Sequence, residues 1–283
     1  MSSPKEIIRD YDIKPRKSLG QSFLMEQNII RRISAIAQVT NNDIVVEIGA
    51  GIGVLTEDLA RNAAKLIAVE LDSRLVEVLK DKLLKYNNVQ IYQGDILKFD
   101  FEAIARDRKH KIKVIGNVPY NISSPALFHL LSFRKIIDSF VLMLQKEVVQ
   151  RLVASPGGKN YGVPSVILQM FANVEKVFDV PASSFYPRPK VESSIIKGFF
   201  LDKPVVELAD EEFFIKLVRD SFAHRRKMLI NNLKKSKLLE GVLESLLKET
   251  LIFGGIDPQR RGETLTIEEF GHMGNILKQF KCF

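Results

Sequence analysis

The sequence predicts an α/β protein. A Rossmann-like open sheet is expected over residues 1–203, followed by a small α-helical domain over residues 204–283. Three observations carry this. Short apolar runs alternate with amphipathic helical patterns from residue 29 to residue 200, the pattern of a sheet covered on both faces. The first run, Ile44-Val45-Val46-Glu47-Ile48, opens into Gly49, Gly51 and Gly53 and then an amphipathic segment, which reads as strand, tight turn and helix start. Beyond Asp202-Lys203-Pro204 the pattern is helical only.

The elements follow in order. Residues 1–20 are polar, end in Lys14-Pro15-Arg16-Lys17, and are expected to form a mobile basic arm. Ile29, Ile30, Ile33, Ile36 and Ala37 share one face of a helix at 29–39. After the first strand come strands at 65–70 (KLIAVE), 89–92 and 113–116, with a helix at 74–84 and a charged loop at 106–113. A short helix at 125–131, an apolar strand at 136–144, a helix at 146–154 and strands at 174–180 and 194–200 complete the sheet. Phe185-Tyr186-Pro187-Arg188-Pro189-Lys190 is a rigid loop between the last two strands. In the helical domain Phe214, Leu217, Val218 and Phe222 form one face, and helices are expected at 238–251 and 265–280.

The chain of 283 residues has 42 Lys and Arg against 34 Asp and Glu, a net charge of +8. That balance favours a polyanionic partner, nucleic acid before membrane. No apolar run approaches the length that spans a bilayer, and the first residues lack the apolar core of a signal peptide. The single cysteine, Cys282, forms no disulfide framework, which fits a reducing cytoplasm. Four scattered histidines offer no metal-ligand spacing.

Chemistry-bearing residues fall at the carboxyl ends of the first four strands: the glycine turn, Glu70, Asp95 and Asn117. In an open α/β sheet that edge binds ligands. The dinucleotide fingerprint G-x-G-x-x-G is not met, since Val54 stands where its third glycine belongs, and no P-loop pattern is present. G-x-G-x-G after a strand resembles the turn of S-adenosylmethionine-dependent methyltransferases. Glu70, at the end of the second strand, suits both ribose hydroxyls of a nucleoside. Asn117-Val118-Pro119-Tyr120 resembles the [DN]-x-P-[YF] motif of methyltransferases that act on exocyclic amines of bases. An adenine N6 lone pair is delocalised into the ring. Two acceptors, the Asn117 side-chain oxygen and the Val118 carbonyl, are suited to hold the amine hydrogens and restore its nucleophilicity. Tyr120 is expected to stack on an extruded base and Phe185 to close its other face.

With these residues in hand, the chain resembles, over nearly its full length, the ribosomal RNA adenine dimethyltransferase family of the kasugamycin-susceptibility type. KSLGQSFL (17–24), EIGAGIGVLT, VELD, GDIL, GNVPYNISSP, QKEVVQRL and FYPRPKVESSI occur in the family's order, as do FAHRRKMLINNL (222–233) and RGETLTIEEF (261–270). The resemblance implies a class I methyltransferase sheet of seven strands, one of them antiparallel, with S-adenosylmethionine as donor. It implies N6,N6-dimethylation of two adjacent adenosines near the 3′ end of 16S rRNA in the immature small ribosomal subunit, four transfers in all, by a monomer. By motif, Ser22, Leu24, Gly49, Gly51, Gly53, Glu70, Asp95 and Asn117 would contact the donor, and Asn117, Tyr120 and Phe185 would hold the base. Arg225, Arg226, Lys227, Lys234 and Lys235 would meet rRNA phosphates. Ser22, a shorter but still polar side chain, stands where the family usually has Asn at that contact. Val118 replaces a more usual leucine, and the backbone carbonyl acts either way. Three other readings remain open on the residues alone: an erythromycin-resistance enzyme acting on large-subunit rRNA, a non-catalytic ribosome-assembly factor, and a small-molecule methyltransferase.

Overall fold

The computed structural model describes residues 3–105 and 112–280. Most of the charged loop expected at 106–113 lies outside them, as do His110 and Cys282. Contact density divides the chain into two units, Met1–Val149 with Val174–Phe200, and Gln150–Asn173 with Leu201–Phe283. The second unit thus takes in residues 150–173, which sequence reading places in the first domain. Leu201 N–H donates to the Phe171 carbonyl (2.9 Å) and Val205 N–H to that of Met170 (2.9 Å), so the helix Val163–Phe171 docks on the chain that follows the sheet. Such pairing leaves no local mark in the sequence.

The first unit carries a sheet of seven strands: β1 (Ile44–Ile48), β2 (Lys65–Glu70), β3 (Val89–Gln93), β4 (Ile112–Asn117), β5 (Ile137–Gln145), β6 (Ala172–Val180) and β7 (Ser193–Phe200). Their spatial order is β3-β2-β1-β4-β5-β7-β6. Pairs β1–β2, β1–β4, β2–β3 and β4–β5 are parallel, and β7 runs antiparallel to β5. β1 and β2 are almost wholly buried, because helices cover both faces of a parallel sheet and their apolar residues need not alternate. Val45, Leu59, Leu66, Ile115 and Val141 form the centre of one core layer.

The order reverses between β1 and β4, where open sheets form a crevice at their carboxyl edge. Register fixes what lines that crevice. Ile48 pairs with Val69 on one side and Gly116 on the other. The next residue of each strand therefore falls in one row, which brings Gly49, Glu70 and Asn117 side by side.

The mobile arm expected at residues 1–20 is instead folded over its described residues, 3–20. Pro4–Asp10 is a helix closed by a capping box, with Glu6 N–H donating to Ser3 Oγ (3.3 Å) and Ser3 N–H to Glu6 Oε2 (2.7 Å). Ile7 anchors it, buried with Phe23, Ile30 and Val78. Tyr11 donates its hydroxyl to Asp81. So short a helix is marginal by itself; the cap and the buried isoleucine hold it.

The second unit is helical. Val163–Phe171, Glu211–Ser221, Leu229–Leu233, Glu244–Phe253 and Ile267–Phe280 are its α-helices. The helix expected at 238–251 starts later, after a 3-10 turn at Lys237–Leu239. Phe214, Leu217 and Val218 are buried as their helical spacing requires, and Phe222 stacks on Phe270 with ring centroids 5.7 Å apart. No helix among the described residues is long and apolar enough to cross a membrane.

Candidate active site

The crevice at the carboxyl edge of β1–β4 is a cavity of about 300 Å3. Gly49, Gly51, Glu70, Asp95, Asn117, Val118 and Tyr120 line it, with Ser22 and its neighbours Leu19–Phe23 along one side. Its walls include Leu71, Ile96 and Ile122, and among the described residues no lysine or arginine lines it. Two carboxylates without a cation suit a ligand that is neutral or positive where it meets them. A pyrophosphate is poorly served.

The glycine turn shapes one end. Gly49 has φ 67°, and a Cβ there would come 3.0 Å from the Asn117 carbonyl oxygen. Any larger residue would push β1 and β4 apart at the crevice. Gly53, expected at the donor, does not line the cavity. It caps the helix Val54–Ala60 with φ 76°, and a Cβ would meet Leu79 at 2.7 Å. Its left-handed φ is what favours glycine there.

Glu70 is the best-held group. Gly51 N–H donates to its Oε2 (2.8 Å) and Asp72 N–H to its Oε1 (2.9 Å). Each oxygen keeps a second lone pair, enough for two further donors. Burial pushes its pKa up while these backbone donors pull it down, and burial wins. Two residues on, Asp72 is fully buried and accepts from Arg74 Nη2 (2.6 Å) and from Gln21 Nε2 (2.9 Å), with Arg16 at 3.5 Å. The Arg74 guanidinium holds its pKa down at about 2 despite burial. Asp72 thereby fastens residues 16–21 beside the cavity. Sequence reading assigned no role to Gln21 or to Asp72. The Asp is visible within VELD, but a link spanning 51 residues has no local signal. Asp95 caps the turn Ile96–Lys98 by accepting Leu97 N–H on Oδ1 (2.9 Å).

Beneath the turn lies Glu47, 1% exposed, one oxygen of which has no partner among the described residues. Burial pushes its pKa up to about 8, which favours the neutral acid.

The opposite wall is Asn117-Val118-Pro119-Tyr120. Asn117 Nδ2 donates to the Ser22 carbonyl (3.0 Å). That bond fixes the amide so that Oδ1 is its remaining acceptor. Val118 N–H is tied to the Met143 carbonyl (3.2 Å). The Tyr120 hydroxyl meets Ser193 Oγ (2.7 Å), and burial raises its pKa. Asn121, to which the sequence motif assigns no role, also lines the cavity.

Besides Gly53, two residues expected at the site, Phe185 and Leu24, stand back from this cavity. Phe185 is only 4% exposed and packs in the core with Leu24, Val180 and Ile195. It pairs with Leu24 in a two-residue antiparallel ladder, in which Phe23 faces Tyr186. Leu24 lines a smaller pocket behind, with Glu47 and Met143. Strand alternation turns Phe185 inward and leaves Tyr186 outward, 50% exposed. Ser22 Oγ, expected at the donor, donates to the Pro187 carbonyl (2.7 Å).

Of the basic residues expected to meet phosphates, Arg226, Lys227 and Lys235 are exposed without partners among the described residues. Arg225 is paired with Glu263 and donates to the Gly158 carbonyl (3.1 Å), so it braces its own unit. Lys234 lies 3.3 Å from Glu244.

A Rossmann-like sheet whose reversal crevice carries a glycine turn, a paired carboxylate and N-x-P-Y defines an S-adenosylmethionine-dependent methyltransferase. Residues 13–279 match the profile of the ribosomal RNA adenine dimethylase family, and the chain belongs to that family. A relative from Syntrophus aciditrophicus, "Ribosomal RNA small subunit methyltransferase A", is 41% identical over 281 residues, covering 98% of this chain and 99% of its own. The solved dimethyladenosine transferase of Plasmodium falciparum superposes with a TM-score of 0.80 at 30% identity, over 92% of this chain and 98% of that one. The 23S rRNA methyltransferase ErmE reaches 0.70 over 91% of this chain and 100% of its own; at 23% identity that likeness concerns the fold alone.

Proposed function

We propose that this enzyme transfers methyl groups from S-adenosylmethionine to N6 of two adjacent adenosines near the 3′ end of 16S rRNA, in an immature small ribosomal subunit in the cytoplasm. Four transfers complete the reaction, which serves ribosome biogenesis. The observation that carries this reading is the Asn117 amide, held by the Ser22 carbonyl with its oxygen left as acceptor on the same cavity as Glu70 and Asp95. The donor's nucleoside fits the carboxylate side, with Glu70 for the ribose hydroxyls and Asp95 for the adenine amine. The small-subunit assignment draws on the name of the Syntrophus relative.

S-adenosylmethionine supplies an electrophilic methyl group on a sulfonium. The chain's own residues position the nucleophile. Asn117 Oδ1 and the Val118 carbonyl accept the two amine hydrogens, and Pro119 directs that carbonyl by fixing φ. Tyr120 supports the extruded base, its hydroxyl tethered to Ser193. As the N–C bond forms and the C–S bond breaks, the alkylated amine becomes acidic and gives its proton to water, so no general base is required. Catalysis is then chiefly positioning in line at near-attack distance. In the helical unit, Arg226, Lys227 and Lys235 contact rRNA phosphates. Arg225 and Lys234 lie beside them but are engaged with Glu263 and Glu244.

The test is transfer of labelled methyl to undermethylated small subunits, with undermethylated large subunits in parallel. Incorporation into the small subunit alone is expected. Incorporation into large-subunit rRNA instead would move the assignment to the resistance type. Binding of small subunits with no transfer to either would leave an assembly factor.

A further inference from the structure

Resting on that reading, we propose that the loop from Pro187 to Glu192 is a second RNA-docking surface, in the sheet unit itself. Arg188 and Lys190 take the phosphates that flank the target nucleotide.

The loop hangs between two elements of the catalytic wall. At its start, the Pro187 carbonyl accepts from Ser22 Oγ at 2.7 Å, and Ser22 in turn holds Asn117 through its own carbonyl (3.0 Å). At its end, Lys146 N–H donates to the Glu192 carbonyl (3.0 Å), and the next residue, Ser193, meets the Tyr120 hydroxyl (2.7 Å). Ser22 and Tyr120, which hold the two ends, both line the cavity. The segment between them is fixed at the rim of the place where a base would enter.

Its charge is uncompensated. Arg188 and Lys190 are exposed and have no partner among the described residues. Glu192, the one acid of the loop, is taken by Lys146 at 2.7 Å, which also holds Asp179 at 3.1 Å. Tyr186 and Val191 flank the two cations and are 50% and 45% exposed. Pro187 and Pro189 fix φ on either side of Arg188, so little backbone freedom is lost when it engages a ligand.

The cavity makes such a surface necessary. Glu70 and Asp95 line it, and among the described residues no lysine or arginine does. An extruded nucleotide arrives with a phosphate on each side, and nothing inside the cavity offsets that charge. The compensation must sit at the rim, where a guanidinium fork and an ammonium can each meet a phosphate. Interactions of this kind place the strand without reading its bases.

The test uses the full chain carrying Arg188→Ala and Lys190→Ala together, with Arg188→Lys/Lys190→Arg as the charge-preserving control. Equilibrium binding to small subunits is measured over a salt series, beside affinity for S-adenosylhomocysteine. The alanine pair is expected to lower the slope of log affinity against log salt by about 1.4 and to weaken subunit binding roughly tenfold at moderate salt. S-adenosylhomocysteine affinity should hold, and the control pair should bind as wild type does. An unchanged slope and affinity would overturn the proposal. So would a parallel loss of S-adenosylhomocysteine affinity, because the loop would then act only through the cavity wall. Because the readout is binding, a wild-type chain that bound subunits without methylating them would defeat the functional reading and still decide this one.

Discussion

The side of the crevice proposed for the donor and the surfaces proposed for RNA are built on opposite principles. On that side Glu70 and Asp72 are buried acids, each held by at least two donors. Glu70 accepts two backbone N–H groups, and Asp72 accepts Arg74 and Gln21. On the surfaces proposed for RNA the charges are exposed cations such as Arg188, Lys190, Arg226 and Lys227, left without partners among the described residues. A small ligand whose shape is fixed can be met by a preorganised pocket. A polyanion must be met by charges that stay hydrated until it arrives, and its binding then depends on salt.

Five variants probe that contrast, taken from the largest effect down. Asn117→Ala removes the held acceptor. The single-turnover methyl transfer rate should fall by about 10^2–10^3, the scale for losing one preorganised hydrogen-bonding group. S-adenosylhomocysteine affinity should fall far less, and equal losses in both would show that Asn117 serves the donor alone.

Glu47→Gln tests the interior. The unfolded chain releases the Glu47 proton near 4.5, whereas the folded protein keeps it to about 8. The native state binds more protons in that window, so the unfolding free energy declines as pH rises from about 4.5 to 8, by up to a few kcal/mol. Denaturant titrations at pH 5 and pH 8 should show this decline in the wild type and a flatter profile in the variant. Asp72 has the opposite sign. Its pKa is lowered to about 2, so its contribution is present above about 4 and is lost on acidification toward 2.

Glu70→Gln keeps the shape and removes the charge. Donor affinity, read by calorimetry with S-adenosylhomocysteine, should weaken about tenfold, as for the loss of a charged hydrogen-bond acceptor, with little dependence on salt. Arg226→Ala/Lys227→Ala should do the reverse. It should leave S-adenosylhomocysteine affinity alone and lower the salt slope of subunit binding by about one for each phosphate no longer neutralised. Arg225→Ala should differ from both, costing up to ~1 kcal/mol of stability as a surface ion pair is removed.

The lining of the crevice was legible in the sequence because strand ends are local events. An apolar run that stops at Glu70, at Gly94-Asp95 or at Asn117 announces its own carboxyl end, and parallel register then aligns the ends. What was not legible depended on partners far along the chain. Pro4–Asp10 reads as polar arm until Ile7 is seen buried against Phe23 and Ile30. Phe185 and Tyr186 are adjacent aromatics, and only the pairing with Phe23 and Leu24 decides which one turns inward. Gly53 belongs to the glycine motif by spacing, yet its neighbour in space is Leu79. Arg225 sits in a basic run, and the Glu263 that engages it lies 38 residues on.

The central claim is that two acceptors, Asn117 Oδ1 and the Val118 carbonyl, select an exocyclic amine. Its most direct test is to digest small-subunit rRNA after reaction with the wild-type chain and to identify and map the methylated nucleosides. The account predicts N6,N6-dimethyladenosine at two adjacent positions near the 3′ end. Methyl groups on a ring nitrogen or on ribose would contradict it.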